Sequence, residues 1–177
     1  MSQTGGGCRA SNYIALLRKA LKDLGMEQIP VVSFNVAGLE SNPGFKLTPE
    51  MGKKLIIAAM YGDLFQRILY ATRPYEVEKG AAESLQKSFD ERIFANCRDG
   101  KISTYKKLTR EIVEAFDKLP FRDVKKPKVG VVGEILVKFH PTANNDLVNL
   151  LEREGAEAVV PDLLTFGLYC CHNQVQK

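Results

Sequence analysis

Helical patterns fill the middle of this 177-residue chain, and they constrain its fold more than any other feature. The stretch TPE, which begins at Thr48, offers an N-cap, a proline suited to the first helical turn and an acidic residue in that turn. The apolar spacing that follows predicts a helix to about Thr72, and Pro74 ends it. Two more helices are predicted, roughly from Ala81 to Asn96 and from Ser103 to Leu119. The last of them carries an apolar stripe formed by Leu108, Ile112, Val113, Phe116 and Leu119.

On both sides of this helical region, the sequence predicts alternating helices and strands. Before it, apolar residues at helical spacing from Arg9 to Leu24 precede Gly25 and the β-branched run IPVVSFNV, residues 29–36. After it, Lys128 to Ile135 predicts a central strand, and TANNDLVNLLEREG predicts a helix closed by a glycine. A short strand over Ala158 to Val160 follows, and LLTFGLYCCHNQVQK begins a final helix.

This alternation predicts an α/β fold with a Rossmann-like parallel sheet and a helical insertion. Residues 1–47 are predicted to form a first α/β unit with a glycine–cysteine loop, residues 48–120 the helical insertion, and residues 121–177 a second, truncated α/β unit. No strand is predicted before the glycine loop or after the final helix. We therefore expect the chain to be a fragment of a longer protein.

Charge and hydropathy exclude two classes of partner. The formal net charge of 25 − 21 = +4 is small, and no Lys/Arg cluster is interleaved with aromatic residues, so nucleic-acid binding is not expected. The most apolar stretch, KLIIAAMYGDLFQRILY, is interrupted by Asp63, Gln66 and Arg67 and is not expected to span a membrane. The first residues lack the pattern of a secretory signal, so a cytoplasmic protein is expected.

Three glycines, Gly5, Gly6 and Gly7, stand directly before Cys8 at the start of the first helix. Glycines allow close backbone approach, and a helix N-terminus stabilises an anion or a thiolate. The loop lacks the GxGxxG, Walker and Cys-x5-Arg patterns. A reactive or metal-ligating thiolate and a purely structural glycine turn both stay open at this point.

The stretch VGEILVKFHPTANN follows the predicted strand at its carboxyl end, where open α/β sheets bind their ligands. Five polar side chains are expected at this edge: Glu134, Lys138, His140, Asn144 and Asn145. The alternative is that Lys138 and His140 are exposed loop residues and that Asn144 helps to cap the next helix. A cysteine nucleophile is also conceivable, and it would need His140 or His172 within hydrogen-bond reach of Cys8. The other three cysteines show no zinc-ligand spacing and are expected to be small buried residues: Cys97, Cys170 and Cys171.

Two long stretches carry a resemblance to a known family. They are SQTGGGCRASNYIALLRKALKDLGMEQIPVVSFNVAGLESNPGFKLTP and KKPKVGVVGEILVKFHPTANNDLVNLLEREGAEAVVPDLL. The chain from Ser2 to about Tyr169 resembles the C-terminal region of the large activase-related proteins of the 2-hydroxyacyl-CoA dehydratase system. That region is itself similar to the dehydratase D-component. These proteins are much longer and carry an ATPase-like activator region upstream.

The resemblance implies radical chemistry on a CoA thioester. In that system an iron–sulfur activator uses ATP to drive one electron into a dehydratase, which holds a [4Fe–4S] cluster and eliminates water from a 2-hydroxyacyl-CoA. Cys8 falls where a cluster ligand of the D-component family is expected, with Gly5, Gly6 and Gly7 shaping the loop. Support by Arg9 and Asn12 is expected too. The implied partners are an acyl-CoA substrate or a partner dehydratase or activator subunit.

The resemblance also leaves an alternative function open. A [4Fe–4S] cluster takes about three or four ligands, and no other cysteine here lies in a comparable loop, so the remaining ligands and the ATP site are expected upstream of this chain. We therefore expect this portion alone to be inactive and to lose its cluster. Glu134 and His140 are the candidate catalytic residues at the second strand edge. The rival is a non-catalytic docking module that keeps the α/β scaffold without the cluster.

Overall fold

The computed structural model describes residues 12–32, 46 and 48–175, except for the side chains of residues 170, 171 and 173–175. The chain divides into two compact units after Leu47. The described residues are mostly helical, with a small two-stranded parallel sheet, which is compatible with the α/β class. No helix of the described part combines the length and the apolar character needed to cross a membrane.

The first unit contains helix α1, Tyr13–Asp23, which lies within the predicted helix. The helix ends where the backbone turns at Gly25, whose φ of +68° favours glycine. The next amide, from Met26, donates to the Leu21 carbonyl at 2.8 Å and closes the turn. Of the predicted strand at residues 29–36, only residues 29–32 are described, and they form no strand.

Three long helices open the second unit: α2 over Pro49–Thr72, α3 over Ala81–Asp99 and α4 over Ile102–Phe116. The Thr48 hydroxyl accepts a hydrogen bond from the Met51 amide at 3.1 Å, which confirms the predicted N-cap. All three predicted helices are therefore confirmed, with ends shifted by three residues or fewer.

These helices pack around one apolar core. Helix α2 contributes a residue every four positions, and α3 and α4 close the core from the other sides. The buried members are Ile57, Tyr61, Phe65, Leu69, Ala82, Phe89, Ile93, Leu108, Ile112 and Phe116. The predicted apolar stripe of α4 includes Val113 as a core residue. That prediction is wrong, because 38% of the Val113 surface is exposed.

A buried polar contact connects two helices inside this core. The Tyr61 hydroxyl donates to Asn96 Oδ1 at 2.7 Å, and Asn96 Nδ2 donates to the Lys101 carbonyl at 3.0 Å. Burial raises the pKa of Tyr61 to about 12 from its ordinary 10.0. The hydroxyl therefore stays protonated and donating at neutral pH, and Asn96 holds the turn between α3 and α4.

Replacing Tyr61 with phenylalanine is expected to cost about 1–3 kcal/mol, because it leaves Asn96 Oδ1 buried without its donor. Since the folded-state pKa lies above the unfolded one, the contribution of the Tyr61 hydroxyl is fully present below pH 10 and is lost as pH rises through 12. Urea unfolding at several alkaline pH values measures this. The wild type should lose more stability over that range than Tyr61→Phe, and equal losses would contradict the role of this hydroxyl.

The remainder of the second unit is a small α/β arrangement. Strands β1, Lys128–Gly130, and β2, Glu157–Val159, pair in parallel, with Lys128 opposite Glu157. Between them lie helix α5, Ile135–Phe139, a 3₁₀ turn over Pro141–Asn144 and helix α6, Leu147–Arg153. Helix α7, Leu163–Val175, follows β2. The second strand and the last helix confirm the prediction to within a residue or two.

The predicted central strand from Lys128 to Ile135 is wrong in length and in burial. Strand β1 ends at Gly130, and all three of its residues are exposed. The chain turns at Gly133, with φ of +129°, and the Glu134 carboxylate accepts hydrogen bonds from the Leu136 and Val137 amides. The apolar run after the glycine is therefore capped as a helix, because a carboxylate at the N-cap stabilises helical backbone there.

Polar residues of α2 attach this α/β arrangement to the helical core. Asp63 accepts from the amides of Leu163 and Leu164 at 2.9 and 2.8 Å, so α2 caps the start of α7. Gln66 Nε2 donates to the Val160 carbonyl at 3.3 Å, just after β2. The polar residues that interrupt the apolar pattern of α2 therefore bind the backbone just after β2 and at the start of α7.

Candidate functional site

A cleft of about 200 Å³ opens beside Val160, the residue that follows β2, and we name it the Lys138 cleft. One wall belongs to α2, and the other walls come from α5, the 3₁₀ turn, the start of α6 and the residue after β2. Its lining residues are Gln66, Tyr70, Arg73, Lys138, Phe139, Pro141, Asn144, Asp146, Val148, Asn149 and Val160. Carboxyl ends of parallel strands are where open α/β sheets bind ligands.

Lys138 is the most buried cation of this cleft, with 8% of its surface exposed. Its Nζ lies 4.4 Å from the centre of the Phe139 ring and 5.3 Å from that of the Phe166 ring. Within the described residues, the ammonium forms neither an ion pair nor a hydrogen bond. Ring faces stabilise a cation by about 0.5–2 kcal/mol, less than a buried carboxylate partner would.

The α2 wall presents Gln66 and Tyr70, and Arg73, the residue directly after the helix, lies on the same side, because these positions are three or four residues apart. Burial raises the pKa of Tyr70, so its phenol is protonated at neutral pH. No described residue forms a hydrogen bond to this hydroxyl. Tyr70 can therefore donate to a ligand, while its ring already carries the Arg73 guanidinium at 5.2 Å.

Arg73 is held by carboxylates. Its Nη2 lies 2.7 Å from Glu152 Oε1, and its Nη1 lies 3.2 Å from Glu83 Oε1. Burial raises the pKa of Glu152, and the guanidinium opposes that rise. The pKa of Arg73 is raised by these two carboxylates despite its burial. The pair of Arg73 and Glu152 fixes the turn after α2 to α6, and Lys138 is left as the cation of the cleft without a carboxylate partner in the described part.

A second, more open groove of about 420 Å³ also contains Arg73, and we name it the basic groove. Four further cations line it, none of which forms an ion pair with a described residue: Lys79, Arg122, Lys126 and Arg153. Its carboxylates already have partners, since Glu83 and Glu152 bind Arg73 within the groove and Glu76 accepts from the amides of Gly80 and Ala82. The groove therefore attracts anions.

The residues predicted at the strand edge separate into two groups. Lys138 and Asn144 line the cleft, and Asn144 Oδ1 also accepts from the Leu147 amide at 3.2 Å, as its alternative capping role predicts. Glu134 instead caps α5. His140 is exposed at the end of α5, and the exposed Asn145 adopts a left-handed backbone with φ of +56°. Neither Glu134, His140 nor Asn145 is among the cleft residues.

The residues predicted around the cluster lie outside the described residues, apart from Asn12: Gly5, Gly6, Gly7, Cys8 and Arg9. Asn12 is the exposed N-cap of α1, and its side chain forms no capping hydrogen bond. Among the described side chains, no three His, Cys, Asp or Glu residues come together as metal ligands. Cys97 is half-buried in α3, and burial raises its pKa, which disfavours a thiolate. The described residues do not supply a ligand set for a cluster.

The α2 wall was missed at the sequence level. Gln66, Tyr70 and Arg73 share one helix face, and an i, i+4, i+7 spacing of polar or amphipathic residues within an apolar helix signals such a face.

No family model, curated protein or solved structure matches this chain.

Proposed function

We propose that this chain is the dehydratase-like part of a cytoplasmic 2-hydroxyacyl-CoA dehydratase or activase-type iron–sulfur protein, with a Rossmann-like fold. The observation that carries the proposal is the resemblance of residues 2–49 and 125–164 to that family, centred on the GGGC loop. In this proposal Cys8 ligates a [4Fe–4S] cluster, and the remaining ligands and the ATP site belong to the longer protein. The cluster supplies one-electron chemistry when bound.

The basic groove is consistent with a CoA thioester as ligand. Coenzyme A carries phosphate groups, and cations without carboxylate partners bind phosphate through charge-assisted hydrogen bonds. Lys79, Arg122 and Lys126 offer such cations in one groove. The Lys138 cleft shares Arg73 and Asn149 with it, so the two pockets are neighbours. Helix α2 and the second resembling stretch together form the walls of that cleft.

The test is to purify the longer protein without oxygen and to measure iron, sulfide and the visible spectrum for the wild type and for Cys8→Ser. Cys97→Ser is the matched control, because Cys97 lies half-buried in the last turn of α3 and outside the GGGC loop. We expect cluster absorbance to be lost or sharply reduced in Cys8→Ser and kept in Cys97→Ser.

Two results would oppose the proposal. A cluster unchanged in Cys8→Ser would leave the glycines as architecture, with no redox role. Absence of iron in every variant after reconstitution would favour the docking module, which organises an activator and its partner without a cluster.

A further inference from the structure

Lys138 carries a charge that its surroundings, within the described residues, do not balance. Transfer of an ammonium into a protein interior is costly unless a counter-charge and hydrogen bonds accompany it. Lys138 is more than nine-tenths buried, yet its described neighbours offer two aromatic rings and no ion-paired carboxylate. Because Lys138 lines a cleft, a ligand of opposite charge bound there would lie beside this residue.

We propose that the Lys138 cleft binds the carboxylate of a small organic acid, with Lys138 Nζ as its counter-ion and the Tyr70 hydroxyl as a second donor. This inference goes beyond the proposed function and does not rest on the cluster. It makes Lys138 and Tyr70 binding residues, and it assigns no reaction to the cleft.

The charge balance of the cleft favours a singly charged anion. Arg73 is already neutralised by Glu152 and Glu83, so Lys138 is the cation that a ligand can meet. Asp146 also lines the cleft, and its carboxylate accepts from Asn149 Nδ2 at 2.8 and 2.9 Å. A doubly charged phosphate would keep one charge without a partner beside this single cation, and its desolvation would cost more than that of a carboxylate.

The walls and the volume indicate a short acid. Phe139, Pro141, Val148 and Val160 contribute apolar surface to the cleft. The volume of about 200 Å³ is below the roughly 300–1,000 Å³ of pockets that enclose drug-sized ligands. A carboxylate with a few carbon atoms fits both the volume and the apolar walls.

The experiment titrates the ¹⁵N-labelled chain with butyrate and, separately, with the uncharged butyramide. We expect butyrate to shift the amide signals of Lys138 and Asn144, and butyramide to bind at least about tenfold more weakly, because a hydrogen bond to a charged group contributes that much. Inorganic phosphate is the third probe.

Two variants localise the effect. Lys138→Met is expected to weaken butyrate binding by about tenfold or more. Lys125→Met removes the same charge from an exposed position outside the cleft and should change binding less than about twofold. If Lys138→Met does not fold, Tyr70→Phe and the comparison of butyrate with butyramide in the wild type decide. Equal binding of the two probes, shifts elsewhere in the chain, or tighter binding of phosphate would overturn the proposal.

Discussion

Replacing Ile57 with alanine is expected to lower the free energy of unfolding by about 2–5 kcal/mol. Ile57 is fully buried in α2, where it packs in the core shared with α3 and α4. The substitution removes three carbon atoms and leaves a cavity that the surrounding helices fill only in part. Urea unfolding followed by circular dichroism gives the change directly.

The neighbouring residue provides a matched control. Ile56 has the same side chain on the same helix, but 54% of its surface is exposed. Ile56→Ala should therefore change stability by less than about 1 kcal/mol, partly offset by the higher helix propensity of alanine. Similar losses for both variants would mean that α2 is rotated about its axis relative to this structure.

The helical core was predictable because its signals are local. The cap at Thr48 and the stop near Pro74 bracket α2, and its apolar positions recur with the period of a helix. The strand predicted from Lys128 was too long, because a short apolar run is compatible with both a strand and a short helix. There, Gly133 and the Glu134 cap decide the conformation, and their effect depends on backbone geometry that periodicity does not report.

Of the two walls of the Lys138 cleft, only the one that follows the predicted strand could be predicted from the sequence. The rule that ligands bind at strand ends found Lys138 and Asn144, which line the cleft. The same rule also selected His140, which is exposed, because a residue's position after a strand does not determine the direction of its side chain. Tyr70 and Arg73 lie more than sixty positions earlier in the sequence, so their place opposite Lys138 follows from tertiary packing of α2 on the strands.

The second large effect is expected for Arg73→Met, which leaves Glu152 without its guanidinium. Both side chains are largely buried, with 16% and 15% of their surfaces exposed. Removing one member of such a pair costs about 3–5 kcal/mol when burial is complete, so about 3 kcal/mol is expected at pH 7. Urea unfolding of the variant and the wild type measures the difference.

The pH dependence of that loss identifies its cause. Burial already raises the pKa of Glu152, and without Arg73 it should rise further. A carboxyl with a raised folded-state pKa binds its proton more tightly in the fold, so the variant should lose stability as pH rises above the unfolded value and regain it on acidification. The double variant Arg73→Met/Glu152→Gln removes the buried charge and should recover part of the loss at pH 7. A pH-independent loss that the double variant does not reduce would instead attribute the effect to lost packing of the arginine stem against Tyr70, which lies beneath the guanidinium at 5.2 Å.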